Sequence, residues 1–232
     1  MQATNLKREG PQMSKAKVLK YTEPDDGWLP ITAQNIETAE NDVLASDNYG
    51  KESLIIRNVL KAFPQNKDLN LIAMKIAVID VTNSTHLSQY KSIVSLYDIA
   101  NRILNIGDFD DRLRQGDPEL VPCIANFANI NLFSFASKYC TYHSVEVYGQ
   151  DHYSIYDGVV KNVLPHYVKG LSAFQVERWR QQMNYKAFND CLGRLLDENH
   201  IDIKLRRRKL DHFLWYQNRE WYKAKKRKQD AK

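Results

Sequence analysis

Apolar residues recur at helical spacing through most of this chain, and that pattern constrains the fold more than any other feature. In residues 52–63 the apolar positions lie about one helical turn apart until Pro64 interrupts them, and Asp68 can cap a second helix that ends near Asn83. Further helices are predicted at 92–104, from about 118, and at 133–142, 158–164, 173–196 and 205–223. No alternating apolar and polar pattern longer than a few residues indicates a strand. The predicted fold class is all-α.

The distribution of this periodicity predicts a central domain with two short flanks. Residues 1–28 mix Lys, Gly, Pro and acidic residues without sustained periodicity, which favours a flexible N-terminal arm. Residues 29–223 are long enough to form a single helical domain of two lobes that share a cleft. Residues 224–232 are predicted to be a basic C-terminal tail.

Hydropathy and cysteine content predict an intracellular protein. No apolar run approaches the roughly 18 residues that a membrane helix needs, and the N-terminus lacks a charged-then-apolar secretory pattern. Cys123, Cys140 and Cys191 are odd in number and widely spaced, which suits buried thiols in a reducing compartment. We expect a cytoplasmic or nucleoid-associated protein with no membrane partner and no obligatory protein partner.

Positive charge is concentrated at the C-terminal end. The formal net charge is +5, but residues 204–232 hold twelve Lys and Arg against three Asp and Glu, so residues 1–203 carry about −4. Basic clusters can neutralise phosphates and release counterions, which makes nucleic acid a natural partner. A solvated charged surface explains the same composition. Four neighbouring residues are the predicted phosphate contacts: Arg206, Arg207, Arg208 and Lys209.

The segment around Lys138 carries the chemistry that the sequence favours. Lys138 lies in a predicted helix among apolar and small residues, namely Phe133, Phe135, Ala136, Tyr139 and Cys140. Such surroundings disfavour an ammonium ion and favour the neutral, nucleophilic amine. Asp157 precedes Gly-Val-Val and can cap a new helix, whose N-terminus stabilises a carboxylate that could orient a nucleophile or stabilise positive charge. A lysine that reaches solvent and a plain helix cap are the structural alternatives.

In order and spacing these residues resemble the helix-hairpin-helix base-excision DNA glycosylases, in particular the 8-oxoguanine-DNA-glycosylase-like members. Those enzymes place a catalytic lysine on the helix after the hairpin and a catalytic aspartate at the start of a later helix. Here Lys138 and Asp157 are 19 residues apart, and the resemblance covers about residues 125–167. It implies a glycosylase-like helical fold with a cleft between two lobes, and it implies Lys138 and Asp157 as the catalytic pair.

The resemblance also implies a substrate class. The partner would be double-stranded DNA with a damaged or modified base, which is flipped out of the duplex for excision. If a Schiff base on Lys138 is followed by strand cleavage, the protein would also have AP-lyase activity. The excised base could be an oxidised base, or it could be a modified base of phage DNA, which would give the protein a role in antiviral defence. No cofactor and no metal are expected.

Contacts to DNA are expected from the hairpin and from a local concentration of tyrosines. The stretch 127–134 lacks the glycines of the family's hairpin, and Asn129 and Asn131 can adopt left-handed turn conformations in their place. Five side chains near the Lys138–Asp157 segment are candidates for the base pocket: Tyr139, Tyr142, Tyr153, Tyr156 and His143.

Two other functional classes remain open from the residues alone. A noncatalytic nucleic-acid-binding protein on the same fold is favoured by the glycine-free hairpin and the basic C-terminal region. A thiol enzyme built on Cys140 and His143 is weaker, and zinc binding is weaker still because no second close-spaced ligand pair accompanies them. Arg178 and Arg180, beside Trp179, face either solvent or DNA.

Overall fold

The computed structural model describes residues 20–22, 24, 27–47, 49–127 and 130–230, with side chains from Tyr21 to Glu220. The described part contains eleven α-helices: α1 Ala33–Leu44, α2 Tyr49–Ala62, α3 Leu69–Asn83, α4 Leu96–Leu104, α5 Phe109–Gln115, α6 Leu120–Ala125, α7 Phe133–Tyr148, α8 Gly158–Val163, α9 Ala173–Gln181, α10 Tyr185–Glu198 and α11 Arg206–Asp230. Short 3-10 helices lie at Leu87–Tyr90 and Leu164–His166. The mainly helical prediction is confirmed.

Strands contribute little to the described part. Four two-residue strands form two antiparallel pairs: β1 Lys20–Tyr21 with β4 Val168–Lys169, and β2 Asn126–Phe127 with β3 Ile130–Asn131. The β1–β4 pair attaches the end of the predicted N-terminal arm to the domain, while residues 1–19 of that arm lie outside the described residues.

Capping residues determine where several helices begin. Asp68 accepts the Leu71 amide at 2.9 Å and caps α3 as predicted. Ser95 and Asp98 form a capping box, so α4 starts at Leu96 and not near residue 92. The long helix predicted at 173–196 is divided into α9 and α10, because Met183 adopts a left-handed conformation with φ of 54°.

Helix α7 is the central element of the core. It is buried on nearly all sides, from Phe133 to Ser144, and it packs against α2, α3, α5 and α6. Helix α11 packs against α1, α8 and α10 and continues to Asp230, so the backbone of 224–230 extends this helix. In the part of the chain that the structure describes, no helix is both long enough and apolar enough to cross a membrane.

Candidate active site

A cavity of about 250 Å³ brings together side chains from four helices and the segments that adjoin them. Its lining residues are Tyr49, Thr82, Asn83, Ser84, Lys138, Tyr142, Ile155, Asp157, Asp211 and Trp215. Both residues of the predicted catalytic pair are among them. The volume lies just below the roughly 300–1,000 Å³ of pockets for drug-sized ligands, which leaves room for one small planar group.

Lys138 reaches this cavity from the middle of the central helix. It is 7% exposed, and its Nζ donates a hydrogen bond to the Asn83 carbonyl oxygen at 3.3 Å. Asn83 is the last residue of α3, and Ser84 ends that helix in a left-handed conformation with φ of 47°. The amine therefore faces the carbonyl end of a helix, which attracts positive charge, while the cavity gives access to it.

Asp157 is the N-cap of α8. Its backbone is extended, and its Oδ1 accepts the Val160 amide at 2.9 Å. The segment before it is fixed to α7, because Tyr156 N donates to Ser137 Oγ at 3.0 Å, one residue from Lys138. This hydrogen bond sets the position of the carboxylate relative to the lysine, and the helix N-terminus stabilises the negative charge.

Aromatic rings form part of the cavity wall. Tyr49 and Trp215 are stacked, with ring centroids 5.7 Å apart and an interplanar angle of 27°. Tyr142 lines the cavity as well, and its Oη donates to Asn83 Oδ1 at 2.5 Å. The cavity wall on this side is therefore aromatic, as a site for a planar ligand requires.

A buried ionic network lies behind the aromatic wall. Arg208 Nη1 donates to Asp211 Oδ2 at 2.5 Å, and Arg208 Nη2 donates to Tyr49 Oη at 2.7 Å. The Arg208 guanidinium also lies over the Tyr142 ring, 4.8 Å from its centroid. Tyr49 Oη is 3.0 Å from His212 Nε2, whose other ring nitrogen pairs with Glu40.

Burial changes the protonation behaviour of this network. It raises the pKa of Asp211 to about 7, despite the opposing effect of Arg208. It lowers the pKa of His212 to about 4, with Arg208 acting in the same direction. Burial therefore disfavours both the imidazolium form of His212 and the carboxylate form of Asp211, while the Glu40 partner of His212 acts in the opposite direction.

Of the five predicted pocket residues, the structure places Tyr142 on the cavity and the other four elsewhere in the core. Tyr139 is fully buried and donates to Asn66 Oδ1 at 2.6 Å. Tyr153 donates to the Asp117 carbonyl at 3.0 Å, and Tyr156 donates to Glu177 at 2.8 Å. His143 is fully buried against the Tyr139 ring. Side chains on a helix that is buried on nearly all sides point in different directions, and so do those of the loop that follows it. Residues that are close in sequence can therefore lie on different sides of the core.

The predicted phosphate contacts at 206–209 are engaged within the protein. Arg206 pairs with Asp197 at 2.6 Å and Lys209 with Glu37 at 3.5 Å, while Arg208 is 6% exposed in its pair with Asp211. Arg207 Nη1 donates to the Asn189 carbonyl at 2.7 Å and to Ser154 Oγ at 3.1 Å. This cluster therefore joins α11 to its neighbours, and contact of these four residues with phosphate stays a prediction.

The hairpin residues have separate outcomes. Asn129 lies outside the described residues. Asn131 accepts the Phe133 amide at 3.1 Å and donates to the Arg180 carbonyl at 2.9 Å, so it anchors the start of α7 to α9. Arg180 itself pairs with Glu177, whereas Arg178 is exposed.

Burial argues against the thiol alternative. Cys140 is fully buried, and burial raises the pKa of its thiol far above the usual range, which disfavours the nucleophilic thiolate. His143 Nδ1 is 2.8 Å from the carbonyl oxygen of Tyr139, which lies one turn earlier on α7. Burial also lowers the pKa of His143 well below its ordinary value.

Sequence reasoning did not identify Tyr49, Asp211 and Trp215 as site residues. Asp211 and Trp215 are four residues apart on α11, and they lie on the same face of that helix. An acidic residue within a basic segment, followed one turn later by an aromatic residue, could have indicated that this face of α11 contributes to a site. Tyr49 had no such signal, because the long-range packing of α2 brings it to the cavity.

Comparison with known proteins identifies related sequences. Residues 33–151, just over half of the chain, match the family model HI_0787_N, described as an N-terminal domain. An uncharacterized protein of Haemophilus influenzae is 29% identical over 153 residues, which covers 64% of this chain and 70% of the relative. No solved structure matches. The family match includes Lys138 and ends before Asp157.

Proposed function

For this chain, which belongs to the HI_0787_N family through residues 33–151, we propose the function of a DNA glycosylase that removes a damaged or modified base. The observation that carries the proposal is that Lys138 and Asp157 line one small cavity although they are 19 positions apart in the sequence. A buried amine and a helix-capping carboxylate that share a cavity are suited to displacement at a sugar carbon.

The proposed chemistry assigns one role to each side chain. The neutral Lys138 amine attacks the sugar C1′ as the glycosidic C–N bond breaks, and the base leaves with that electron pair and takes up a proton. Asp157 stabilises the positive charge that develops on the sugar. The resulting N,O-acetal opens when the nitrogen electron pair forms the C1′=N bond of a Schiff base and the C1′–O4′ bond breaks, with O4′ taking up a proton. Loss of a C2′ proton from the Schiff base can then expel the 3′ phosphate, which is the AP-lyase step.

Two further features support DNA as the substrate. The stacked pair Tyr49 and Trp215 offers an aromatic face at the cavity for a flipped base. The order α6, β2–β3, α7 gives a helix, a short hairpin and a helix that carries Lys138. This order supports a helix-hairpin-helix glycosylase fold, with a two-lobed cleft as its implied architecture.

Borohydride trapping tests the proposal directly. Reduction of the Schiff base should give a covalent adduct between wild-type protein and duplex DNA that carries the correct base or an abasic site. Lys138→Gln should abolish the adduct. Lys161→Gln is a matched control, because Lys161 lies on α8 outside the cavity, where it pairs with Glu177 at 3.8 Å. An adduct that persists in Lys138→Gln would refute the assigned nucleophile.

The base is identified by single-turnover excision assays. Duplexes with oxidised guanine and other lesions represent repair, and duplexes with modified cytosines represent antiviral defence against modified phage DNA. Release of one base in preference to the others identifies the substrate class. No release from any duplex, together with no adduct at an abasic site, contradicts the enzyme proposal.

The glycine-free hairpin favours one second candidate, a noncatalytic nucleic-acid-binding protein on the same fold. This candidate predicts salt-dependent DNA binding that is unchanged in Lys138→Gln and Asp157→Asn. The two candidates therefore differ in whether the cavity residues affect the behaviour of the protein on DNA.

A further inference from the structure

Asp211 is a second carboxylate in the cavity that holds Lys138 and Asp157. It lies on α11, and its side chain is 12% exposed. Arg208 holds Oδ2 at 2.5 Å, while Oδ1 accepts no hydrogen bond from any side chain or backbone group in the described part of the chain. One carboxylate oxygen is thus fixed in place, and the other is available to a group in the cavity.

The proposed reaction requires a group that removes a proton from the Lys138 ammonium ion. Asp157 is poorly suited to that task, because its Oδ1 already accepts the Val160 amide as the N-cap of α8. Asp211 has no such helix amide and lies instead in the first turns of α11, after the N-terminal amides that Asp151 accepts. The two carboxylates therefore have different environments, as an anion and a proton acceptor require.

The charges around Asp211 are compatible with proton exchange near neutral pH. Burial is the largest influence and raises the pKa of Asp211 to about 7, while Arg208 and Lys138 act to lower it. The negative charges of Asp157 and Glu40 act in the raising direction. The other titratable groups packed around the Arg208–Asp211 pair are Tyr49, Tyr142 and His212.

Fixed hydrogen bonds keep Asp211 in this position. Arg208 donates to Asp211 and to Tyr49 Oη, and its Nη2 is also 3.4 Å from Tyr142 Oη. Tyr142 in turn donates to Asn83, whose carbonyl oxygen accepts from Lys138 Nζ. The amine and the carboxylate are thus held by one connected set of side chains.

We propose that Asp211 is the proton acceptor that converts the Lys138 ammonium ion into the nucleophilic amine. Lys138 forms no ion pair in the described part of the chain, so the proton moves from Lys138 Nζ through a water molecule in the shared cavity to Asp211 Oδ1, which gives a neutral amine and a neutral carboxyl group. The amine electron pair then forms the bond to C1′, and the protonated Asp211 can return a proton when the leaving base takes one up. This role rests on the proposed glycosylase function and adds a residue to it.

The experiment measures adduct formation on an abasic-site duplex as a function of pH. This substrate has no base to be recognised, so the rate of borohydride-trapped adduct reports on the Lys138 amine. In the wild type the rate should rise with pH through about 7, because the acceptor must be ionised. Asp211→Asn should be slower by about 100-fold at neutral pH and should lose this rise near pH 7.

The outcomes separate this inference from the function on which it rests. If Lys138→Gln abolishes the adduct but Asp211→Asn keeps the wild-type rate and pH profile, the role of Asp211 is refuted and the glycosylase proposal stands. If the wild type forms no adduct, or Lys138→Gln still forms it, the proposed function fails and the role of Asp211 fails with it.

Loss of the Arg208 partner can unfold the protein, so a second variant is needed. Asp211→Glu retains the carboxylate and should keep the rise in rate with pH, with a displaced midpoint, because the environment of the acid changes. Thermal unfolding monitored by circular dichroism establishes which variants fold. If Asp211→Asn does not fold, identical midpoints in the wild type and in Asp211→Glu overturn the inference, as does a wild-type profile with no rise near pH 7.

Discussion

Two buried lysines show, at the scale of single residues, what distinguishes a candidate nucleophile from a structural ammonium. Lys75 is fully buried, and its Nζ donates to the Gln65 carbonyl at 2.8 Å and to Asn66 Oδ1 at 2.7 Å. Lys138 makes one long hydrogen bond and lines a cavity. Burial alone does not mark a nucleophile, since a fully enclosed amine cannot meet a substrate.

Lys75 has a consequence for stability that can be measured. Burial lowers the pKa of Lys75 to about 8, so above that pH the unfolded chain binds a proton that the folded chain does not. The free energy of unfolding therefore increases as pH rises from about 8 towards the pKa of Lys75 in the unfolded chain. Relative to Lys75→Met, the wild type should gain about 1.4 kcal/mol of unfolding free energy per pH unit between about pH 8 and pH 10.

Urea unfolding at several pH values checks this gain. The exposed Lys91→Met is the control, and its stability should stay parallel to that of the wild type across the same range. A constant difference between wild type and Lys75→Met would show that Lys75 keeps its proton in the folded state.

At the scale of elements, Asp157 has a structural and a chemical role that substitutions can separate. Asparagine caps helices about as well as aspartate but carries no charge, whereas alanine provides neither the cap nor the charge. We therefore expect both Asp157→Asn and Asp157→Ala to lose base excision. Only Asp157→Ala should lose about 1 kcal/mol of stability as well.

A second aspartate cap supplies the control for this prediction. Asp68 caps α3 through the Leu71 amide at the same 2.9 Å distance and lies outside the cavity. Asp68→Ala should reduce stability by a similar amount and leave excision unchanged, as measured by urea unfolding and single-turnover kinetics. Wild-type excision by Asp157→Asn would remove the charged carboxylate from the mechanism.

The elements that the sequence predicted well are those with local signals. The Asp68 cap and the start of α7 at Phe133 follow from residues within one or two turns. The division between α9 and α10 was missed, because a left-handed Met183 has no residue-type signal. For the same reason, only some of the residues that line the cavity could be predicted from the sequence. Lys138 and Asp157 carry local patterns, whereas the place of Tyr49 depends on how α2 packs against α11.

At the scale of the whole molecule, the positive charge at the start of α11 is less available to DNA than the sequence indicates. Residues 206–209 are paired with acidic or polar groups on α1, α10 and α11. The next basic cluster, at 223–228, contains five Lys and Arg residues in the last part of a 25-residue helix. A helix of that length spans about 37 Å, so the backbone at 223–228 is well separated from that at 206–209.

These two clusters are expected to contribute differently to DNA affinity. Replacing the five basic residues of 223–228 by glutamine should reduce the slope of log K against log salt concentration by about 0.9 for each phosphate that the variant no longer neutralises. The double variant Arg206→Gln and Lys209→Gln should leave that slope nearly unchanged, because both side chains already pair with carboxylates. Fluorescence anisotropy with a labelled duplex at several salt concentrations measures both slopes. A larger decrease in the double variant would return the phosphate-binding role to the start of α11 and show that its ion pairs open on DNA.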